Sequence, residues 1–573
     1  MSKRTLLRAG LLAATALAGT SLTHPAAAQS DAQIETIEKE IKALQAELAR
    51  VKAQSAARDQ QLKAAQEQAT AAQAQARAAQ DQAAAATAAS AASTAQQQAI
   101  QAKLAELPVA APTPAGPKLP LGTFRVGGVT VTLGGFAAAE GGYRSRNQAA
   151  GIDTGFNGNI PFPNSPNYHI PEYRFTAQQS RFSLLAQGQV DDATTLSSYM
   201  ETDFLAAGSS SNSNQSNSYV LRMRHFYATY DNTDTGLHFL GGQSWSLATP
   251  YRVGLVPRQE NIPLTIDAQY VVGFNWERQA QLRLTKDFDD HRIWAGISLE
   301  EPQTIFGQPA GPNCLTGAPA LTGIGGGTLE YSQCGGPNVN SIQSYSDNWA
   351  PDIIAKVAAD PGFGHYELWG LLRFLSGRVS YAASGTGQNY TTTGQGVGAG
   401  MILPVIPRML DFQLNGLVGQ GIGRYGSAQL PDVTFDPNGR IKALNEYQIM
   451  GGFVGHPKPS IDIYLYGGAE EIGNRAYNAG GKAYGYGNPA VDLAGCEMEL
   501  GACSANTSGV VEATLGAWWR FFKGSFGTMQ AGVQYEYLDR SAFAGAGATK
   551  GSMISPSGNE NVFFVSFRYL PFQ

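Results

Sequence analysis

The chain has 573 residues and a formal net charge of −5, and 15% of its residues are charged. This slightly acidic balance, with no basic stripe, argues against nucleic acid as a partner. A mean hydropathy of −0.19 is too polar for a bundle of membrane helices. Such a composition still permits a membrane β-barrel, because lipid-facing and lumen-facing residues average out along its strands.

Residues 1–28 have the pattern of a secretory signal peptide. Three basic residues stand among the first eight, an apolar core follows at 11–19, and alanines at 26–28 supply a small-residue cleavage site. Pro25 argues against one helix that continues into the next segment. We therefore expect an exported chain whose mature form begins at Gln29.

Residues 29–107 carry the heptad pattern of a coiled coil. Apolar residues recur at alternating steps of three and four from Ile34 to Val51, and the register continues through an Ala/Gln-rich stretch to Leu107. Isoleucine at both seam positions of the first heptads favours three or more chains, so we expect a parallel trimer. The thin seam of the Ala-rich middle leaves a single solvated helix or a frayed linker as the alternative.

Residues 108–121 form a proline-rich linker. Five prolines between positions 108 and 120 end the helix and predict a stiff, extended spacer. We place a domain boundary in this segment and expect one β-domain in residues 122–573.

Short segments of alternating polar and apolar residues fill the β-domain. The clearest run is 181–245, where four such segments are separated by Asp-rich breaks and one Ser/Asn loop. Alternation with a period of two and no long helix predicts antiparallel hairpins. We count sixteen strands, among them 274–285, 366–375 and 397–406, with about seven tight turns at one end and eight long loops at the other. This even number and this asymmetry predict an all-β transmembrane barrel of sixteen antiparallel strands, wide enough for an aqueous channel.

Soluble β folds fit this pattern less well. A propeller would show a repeated blade signature, which the sequence lacks. A sandwich rarely exceeds about 250 residues as one domain. Aromatic residues also gather near the predicted strand ends, where barrels place their interfacial girdles. These aromatics are Trp245, Trp276, Trp294, Trp518, Trp519, Tyr535, Tyr537, Phe567 and Tyr569.

Charged residues on the strand parity opposite to the apolar residues should face the lumen, since a charge on the lipid face costs about 2–4 kcal/mol at mid-membrane. The candidate channel-lining residues are Arg181, Arg222, Arg224, Arg283, Arg373, Glu201 and Asp203. Arg181, Arg222 and Arg224 could form a basic ladder that attracts carboxylates or phosphates, because guanidinium forks match those oxygens. The alternative is that these charges select no solute, because inward charges line any water-filled barrel.

The loop after the fifth predicted strand, about 247–268, is a candidate constriction. If it folds inward, Arg252, Arg258 and Glu260 would narrow the bore. Its length fits an ordinary external loop equally well.

The four cysteines fall in two predicted loops, Cys314 with Cys334 and Cys496 with Cys503. An exported chain favours two disulfides within these loops. The spacings fit no zinc pattern and no histidine lies beside either pair, so we expect no metal. No Gly-x-Ser-x-Gly motif occurs and no histidine has a nucleophile at a recognisable spacing. We therefore expect no enzyme activity and no cofactor.

The segments 179–182, 221–227 and 242–245 (QSRF, LRMRHFY and GQSW) are similar to segments of the DcaP-type trimeric porins of Gram-negative outer membranes. The order of signal peptide, Ala/Gln-rich coil, proline spacer and sixteen-stranded barrel resembles the same family. The resemblance implies passive uptake of small, often dicarboxylic, anions through a homotrimer in the outer membrane, with the coil in the periplasm. One departure is the end Phe572-Gln573, since porins usually end in Phe, which the barrel-assembly machinery reads.

Two functions follow as hypotheses. The first is a porin for small hydrophilic solutes with a preference for anions. The second is an envelope tether, in which the barrel anchors in lipid and the coil reaches toward peptidoglycan. A helix of about 74 residues would extend roughly 110 Å at 1.5 Å per residue, which is long enough for such a role.

Overall fold

The computed structural model describes residues 119–206, 217, 219–307, 327–335 and 343–573, the backbone of 321–324, and Arg77. The predicted signal peptide, the predicted coiled coil and the linker up to residue 118 lie outside these residues. Within the described ranges, no helix is long and apolar enough to cross a membrane. The same ranges hold no group of three or more His, Cys, Asp or Glu side chains placed to bind a metal ion.

Sixteen antiparallel strands form a closed barrel, which confirms the predicted strand number. They are β1 (Val129–Arg144), β2 (Arg181–Gln189), β3 (Thr194–Asp203), β4 (Arg222–Asn232), β5 (Leu237–Trp245), β6 (Arg278–Phe288), β7 (Ile293–Glu300), β8 (Asp352–Ala359), β9 (His365–Tyr381), β10 (Thr386–Ile406), β11 (Leu410–Gln420), β12 (Asn445–Lys458), β13 (Ile461–Ile472), β14 (Thr507–Gly524), β15 (Gly527–Ala542) and β16 (Ser557–Leu570). Each strand pairs with its neighbours in the chain. The pairing of β1 with β16, from Ala137↔Tyr569 to Arg144↔Val562, closes the sheet and leaves no free edge.

The two ends of the barrel differ as predicted. Seven connections of two to five residues lie at one end, between β2 and β3 and at every second hairpin after it. Most connections at the other end are long. An exception is the connection between β9 and β10, where the ladder continues to Tyr381↔Thr386 and a four-residue turn closes it. The predicted strand ends at 375 and 397 were therefore wrong, because the Thr-rich stretch 391–393 pairs with β9 instead of forming a loop.

Short strands and turns thicken the end that carries the long loops, and one more strand lies at the start of the barrel. They are Thr123–Val126, Glu172–Thr176, Leu321–Ile324, Gly327–Glu330, Ser332–Cys334, Ser344–Ser346, Val433–Phe435, Ile441–Ala443, Arg475–Ala479, Lys482–Tyr486, Gly545–Ala546 and Met553–Ile554, with 3-10 turns at Pro166–His169 and Gly423–Tyr425. The disulfide Cys496–Cys503 closes one of these loops and confirms the predicted pair. Cys334 is also disulfide-bonded, and its predicted partner Cys314 lies outside the described residues.

The outer surface of the barrel is an apolar belt. Every one of the sixteen strands exposes at least one large apolar side chain, and most strands bury residues that alternate with it. On β13, for example, Ile463 and Leu465 are exposed and Asp462, Tyr464 and Tyr466 are buried. This alternation of apolar outside and polar inside is that of a barrel surrounded by lipid.

The predicted aromatic girdle is only partly correct. Trp519, Tyr535, Tyr537 and Phe567 are exposed on the outer surface, but Trp245, Trp276, Trp294 and Trp518 are buried inside the barrel. Trp518 faces inward because its indole N–H donates to the carbonyl oxygen of Leu264 at 2.7 Å. A buried tryptophan needs such an acceptor, and in this barrel the lumen supplies it.

Candidate functional site

The connection between β5 and β6, residues 246–277, lies inside the barrel. Leu247, Tyr251, Leu255, Ile266 and Val272 are each fully buried. A loop outside the barrel would leave these side chains exposed. This segment, here named the lumen loop, therefore crosses the interior of the barrel. It is the segment in which the sequence placed a candidate constriction.

Carboxylates of the wall hold the backbone of the lumen loop. Five loop N–H groups donate to carboxylate oxygens: Leu247 to Glu300 at 2.8 Å, Tyr251 to Glu367 at 2.8 Å, Gly254 to Asp360 at 2.9 Å, Val272 to Glu512 at 2.8 Å and Gly273 to Glu470 at 2.7 Å. Buried backbone N–H groups need such acceptors, because they cannot bond to water. The inward charges predicted for a water-filled barrel thus serve in part to fix the loop.

Close backbone packing fixes the same loop against β12 and β13. Gly273 has φ 83°, and a Cβ on it would lie 2.0 Å from the carbonyl oxygen of Ile449. A Cβ on Gly468 would lie 1.7 Å from the carbonyl oxygen of Val272. Only glycine allows this approach at both positions.

The start of β6 differs from the prediction. The sequence placed a strand at 274–285, but β6 begins at Arg278 and residues 274–277 belong to the lumen loop. Phe274 and Trp276 are buried among aromatic rings, with Trp276 5.2 Å from the ring of Tyr270 and 5.8 Å from that of Trp245. Phe274 and Trp276 stand two positions apart, as the apolar residues of a strand do. Here both pack into the interior of the barrel, so the spacing does not indicate a strand.

A cavity of about 430 Å³ lies between the lumen loop and the wall. Its charged lining consists of Arg181, Arg224, Arg258, Arg520, Arg568, Glu201, Glu260, Asp267 and Asp462. Aromatic rings, among them Tyr199, Tyr227 and Trp245, fill the space between these charges. The cavity therefore has five arginines, four carboxylates and polarisable walls.

The predicted arginine ladder carries both signs of charge. Strand β3 lies between β2 and β4, and its Glu201 contacts Arg224 Nε at 2.6 Å and Arg181 Nη1 at 3.6 Å. Asp203 accepts from Arg224 Nη1 at 2.9 Å and from both Nε and Nη2 of Arg222, at 2.9 and 2.8 Å. These five residues form one network in which each arginine is already paired.

A β-bulge adds His225 to this network. The register between β3 and β4 shifts at Glu201/Thr202, so Arg224 and His225 are both buried although they are consecutive. Strict alternation would have placed His225 in lipid, and it was not among the predicted site residues. A polar ring at a lipid-facing position is the signal that could have revealed the bulge.

Arg258 lies at the exposed tip of the lumen loop. Tyr251 and Glu260 pair across a small hairpin, and the Arg252 N–H donates to the carbonyl oxygen of Gln259 at 2.8 Å. Arg258 has φ 70° and its guanidinium lies 5.9 Å from the ring of Tyr199. Among the described residues it has no ion pair. Glu260 is buried and lines the cavity, whereas Arg252 is exposed and does not.

Four predicted channel-lining residues do not line this cavity. Arg222 and Asp203 belong to the network described above, and Arg373 and Arg283 lie elsewhere in the barrel. Arg373 is fully buried and bonds to Asp352 at 3.0 Å and to Asp432 at 2.5 Å. Arg283 is buried and donates to Gln281 Oε1 at 2.9 Å and to the hydroxyl of Tyr251. Both hold loops against the wall.

Arg568 lines the cavity and was missing from the sequence-based candidates. It donates to Glu140 at 2.7 Å and lies over the rings of Phe136 and Trp518, at 4.7 and 4.6 Å. Along β16 the side chains face lipid and lumen in turn, and Arg568 follows the lipid-facing Phe567. This alternation could have identified Arg568 as a lumen-facing residue.

No family model matches the chain, and no curated protein matches its sequence. Solved outer-membrane proteins have similar structures. The outer membrane channel DcaP of Acinetobacter baumannii matches with a TM-score of 0.50 and 19% identity, over 78% of this chain and all of DcaP. Salmonella typhi OmpF, solved with daunomycin, has a TM-score of 0.40 and 10% identity, over 78% of this chain and 99% of OmpF. An anion-selective porin from Comamonas acidovorans has a TM-score of 0.39 and 9% identity, over 77% of this chain and 99% of that porin. The first of these matches confirms that the chain shares the barrel fold of DcaP, as the resemblance of its sequence predicted.

Proposed function

We propose that this chain is an outer-membrane porin, a water-filled channel for the passive diffusion of small hydrophilic solutes. The closed barrel, its apolar outer belt and its polar interior support this role. DcaP, whose fold the chain shares, is named an outer membrane channel. The channel requires no catalytic step and no cofactor.

The lumen loop forms the constriction in this proposal. It is anchored to two separate parts of the wall, β7 and β9 in one and β13 and β14 in the other. Any solute that crosses the barrel must pass between this loop and the wall. We place the path of the solute in the cavity beside Arg258.

The solutes that we propose are anions such as dicarboxylates. The observation that carries this preference is Arg258, an exposed guanidinium at the loop tip without an ion pair in the described chain, beside a cavity lined by four further arginines. Two of the four carboxylates there, Glu201 and Asp462, already bind arginines. Carboxylate oxygens match the fork of a guanidinium, and a dicarboxylate offers two such groups.

The assembly that we propose is a homotrimer whose predicted coil lies in the periplasm, with peptidoglycan as a candidate partner. The chain enters β1 at the end that carries the tight turns, since β1 leads into a long loop. Short turns face the periplasm in outer-membrane barrels. The isoleucine seam of the predicted coil supports three chains.

Liposome swelling tests the solute preference. Proteoliposomes in succinate should swell faster than in a neutral sugar of similar size. Arg258→Gln should lower the ratio of the two rates about fivefold, which is the effect of one charge at about 1 kcal/mol under water-like screening. Arg252→Gln, an exposed arginine on the same loop that does not line the cavity, is the matched control. Equal rates in wild type, or equal effects of both substitutions, would refute the anion preference.

A further inference from the structure

An apolar groove of about 340 Å³ opens on the outer face of the barrel, at the end that carries the tight turns. It lies between the turns that join β10 to β11 and β12 to β13, and Ile406, Met409, Phe453, Ile463 and Leu465 line it. These side chains face outward and are exposed. The groove therefore belongs to the lipid-facing surface and has no part in the lumen site.

The groove exists because Gly455 carries no side chain. Gly455 pairs with Leu410 on β11 and with Ile463 on β13, so its missing side chain leaves a notch between two apolar neighbours. A Cβ at this position would meet no atom closer than 3.8 Å, and its φ lies outside the left-handed region. The backbone therefore does not require glycine at position 455. The space is open because glycine has no side chain to fill it.

Two irregularities of the sheet lie beside the notch, on the side of the turns. The register shifts between Pro404 and Ile406 in the β10–β11 pair and between Gly455 and Lys458 in the β12–β13 pair. Such bulges bend a strand and splay its end. The backbone N–H of His456 donates to the carbonyl oxygen of Met409 at 2.7 Å, which holds the two turns together across the end of the groove.

Positive charges stand at the rim of this groove. Arg408 lies in the turn between β10 and β11, Lys458 is the last residue of β12, and their chain neighbours Met409 and Pro457 line the groove. Both cations are exposed, and neither forms an ion pair or a side-chain hydrogen bond within the described chain. The carboxylate of Asp462 is not available to them, because it binds His456 at 2.7 Å and Arg520 at 2.5 Å. A phosphate would therefore meet two unneutralised cations at the level where an apolar chain enters the groove.

We propose that this groove holds one acyl chain of a periplasmic-leaflet phospholipid whose phosphate binds Arg408 and Lys458. The volume of the groove falls in the range of about 300–1,000 Å³ that is usual for small-molecule sites. A phospholipid combines an apolar tail with a phosphate at the interface, which matches the order of apolar lining and cationic rim. The proposal is independent of the solute that the channel carries.

Native mass spectrometry of the detergent-purified protein with added dioleoylphosphatidylglycerol tests the site. Wild type should retain one lipid per chain. Gly455→Leu fills the notch and should lower the bound fraction at least tenfold. Gly370→Leu is the matched control and should bind as wild type, since Gly370 faces lipid on β9 and a Cβ on it would meet no atom within 4 Å.

The charged rim is tested by Arg408→Gln combined with Lys458→Gln, which should weaken retention roughly fivefold for each charge removed. Dioleoylglycerol has the same tails and no phosphate. Wild type should retain it only as weakly as the double variant retains the phospholipid. Equal lipid retention by Gly455→Leu and wild type would overturn the proposal. Equal retention of dioleoylglycerol and the phospholipid would overturn it as well, and so would a second copy of the chain that covers the groove and excludes lipid.

Discussion

The substitution Glu367→Gln should release the tip of the lumen loop while leaving the barrel intact. Glu367 accepts from the Tyr251 N–H at 2.8 Å and from His365 Nε2 at 3.0 Å, and it pairs with Lys356 Nζ at 3.1 Å. The side chains of Lys356 and Glu367 are at most 1% exposed. Glutamine keeps the shape, but it leaves the ammonium buried without a counter-charge and can place a second donor against it.

The magnitude follows from the buried charge. Loss of one neutral hydrogen bond would cost about 0.5–1.5 kcal/mol, whereas breaking one partner of a buried ion pair costs about 3–5 kcal/mol. At about 1.4 kcal/mol for each factor of ten, the displaced state of the loop tip should become at least a hundredfold more populated. Lys356 can then reach water only if the segment around Tyr251 moves away from the wall.

Single-channel recording in planar bilayers measures this motion. The variant should show frequent current steps that wild type lacks. Its folded barrel should undergo the heat-induced shift in gel mobility at the same temperature as wild type. Glu301→Gln, an exposed carboxylate after β7, serves as the control and should behave as wild type. Current traces of Glu367→Gln as quiet as those of wild type would refute the claim that this carboxylate holds the loop.

Three further substitutions give separate expectations. Gly468→Val should push the lumen loop from the wall and alter the conductance, because a Cβ there lies 1.7 Å from the Val272 oxygen. The neighbouring Gly467→Val should not, because a Cβ on the exposed Gly467 would meet no atom closer than 3.8 Å. Arg373→Ala leaves the buried Asp432 without an ion pair and Asp352 with only Arg424, at 3.9 Å, and should destabilise the barrel by about 3–5 kcal/mol, measured as a lower temperature of the heat-induced gel shift. An unchanged shift temperature would contradict this. Cys496→Ser should make the 496–503 loop more sensitive to protease, since closing so short a loop contributes about 2–3 kcal/mol locally, and should leave the conductance unchanged.

The strand order could be predicted from the sequence because each strand must bury one face and expose the other to lipid. On β13 the bounds can be read from the sequence, since polar and apolar residues alternate within Ile461–Ile472 and breaks flank the strand on both sides. Alternation fails where a segment packs inside the barrel, as at Phe274 and Trp276, because apolar residues then have no lipid to face. It also fails at the bulge beside His225, where two consecutive side chains turn inward.

The lumen site was only partly accessible to sequence reasoning. Parity indicated that Arg181 and Arg224 face inward, but only the spatial order of the strands shows that Glu201 lies between them and pairs with both. The length of the loop after β5 could not decide its position. Its inward path depends on wall carboxylates such as Glu470 and Glu512, which are distant in sequence and become its partners only when the barrel closes.

The zero-current potential of the purified wild-type protein in a planar bilayer, measured across a gradient of potassium chloride, tests the central claim most directly. We expect stable ionic conductance and a potential whose sign shows that chloride permeates faster than potassium. A protein that inserts and fails to conduct would contradict the channel, and a potential of the opposite sign would contradict the role assigned to Arg258 and the arginines around it.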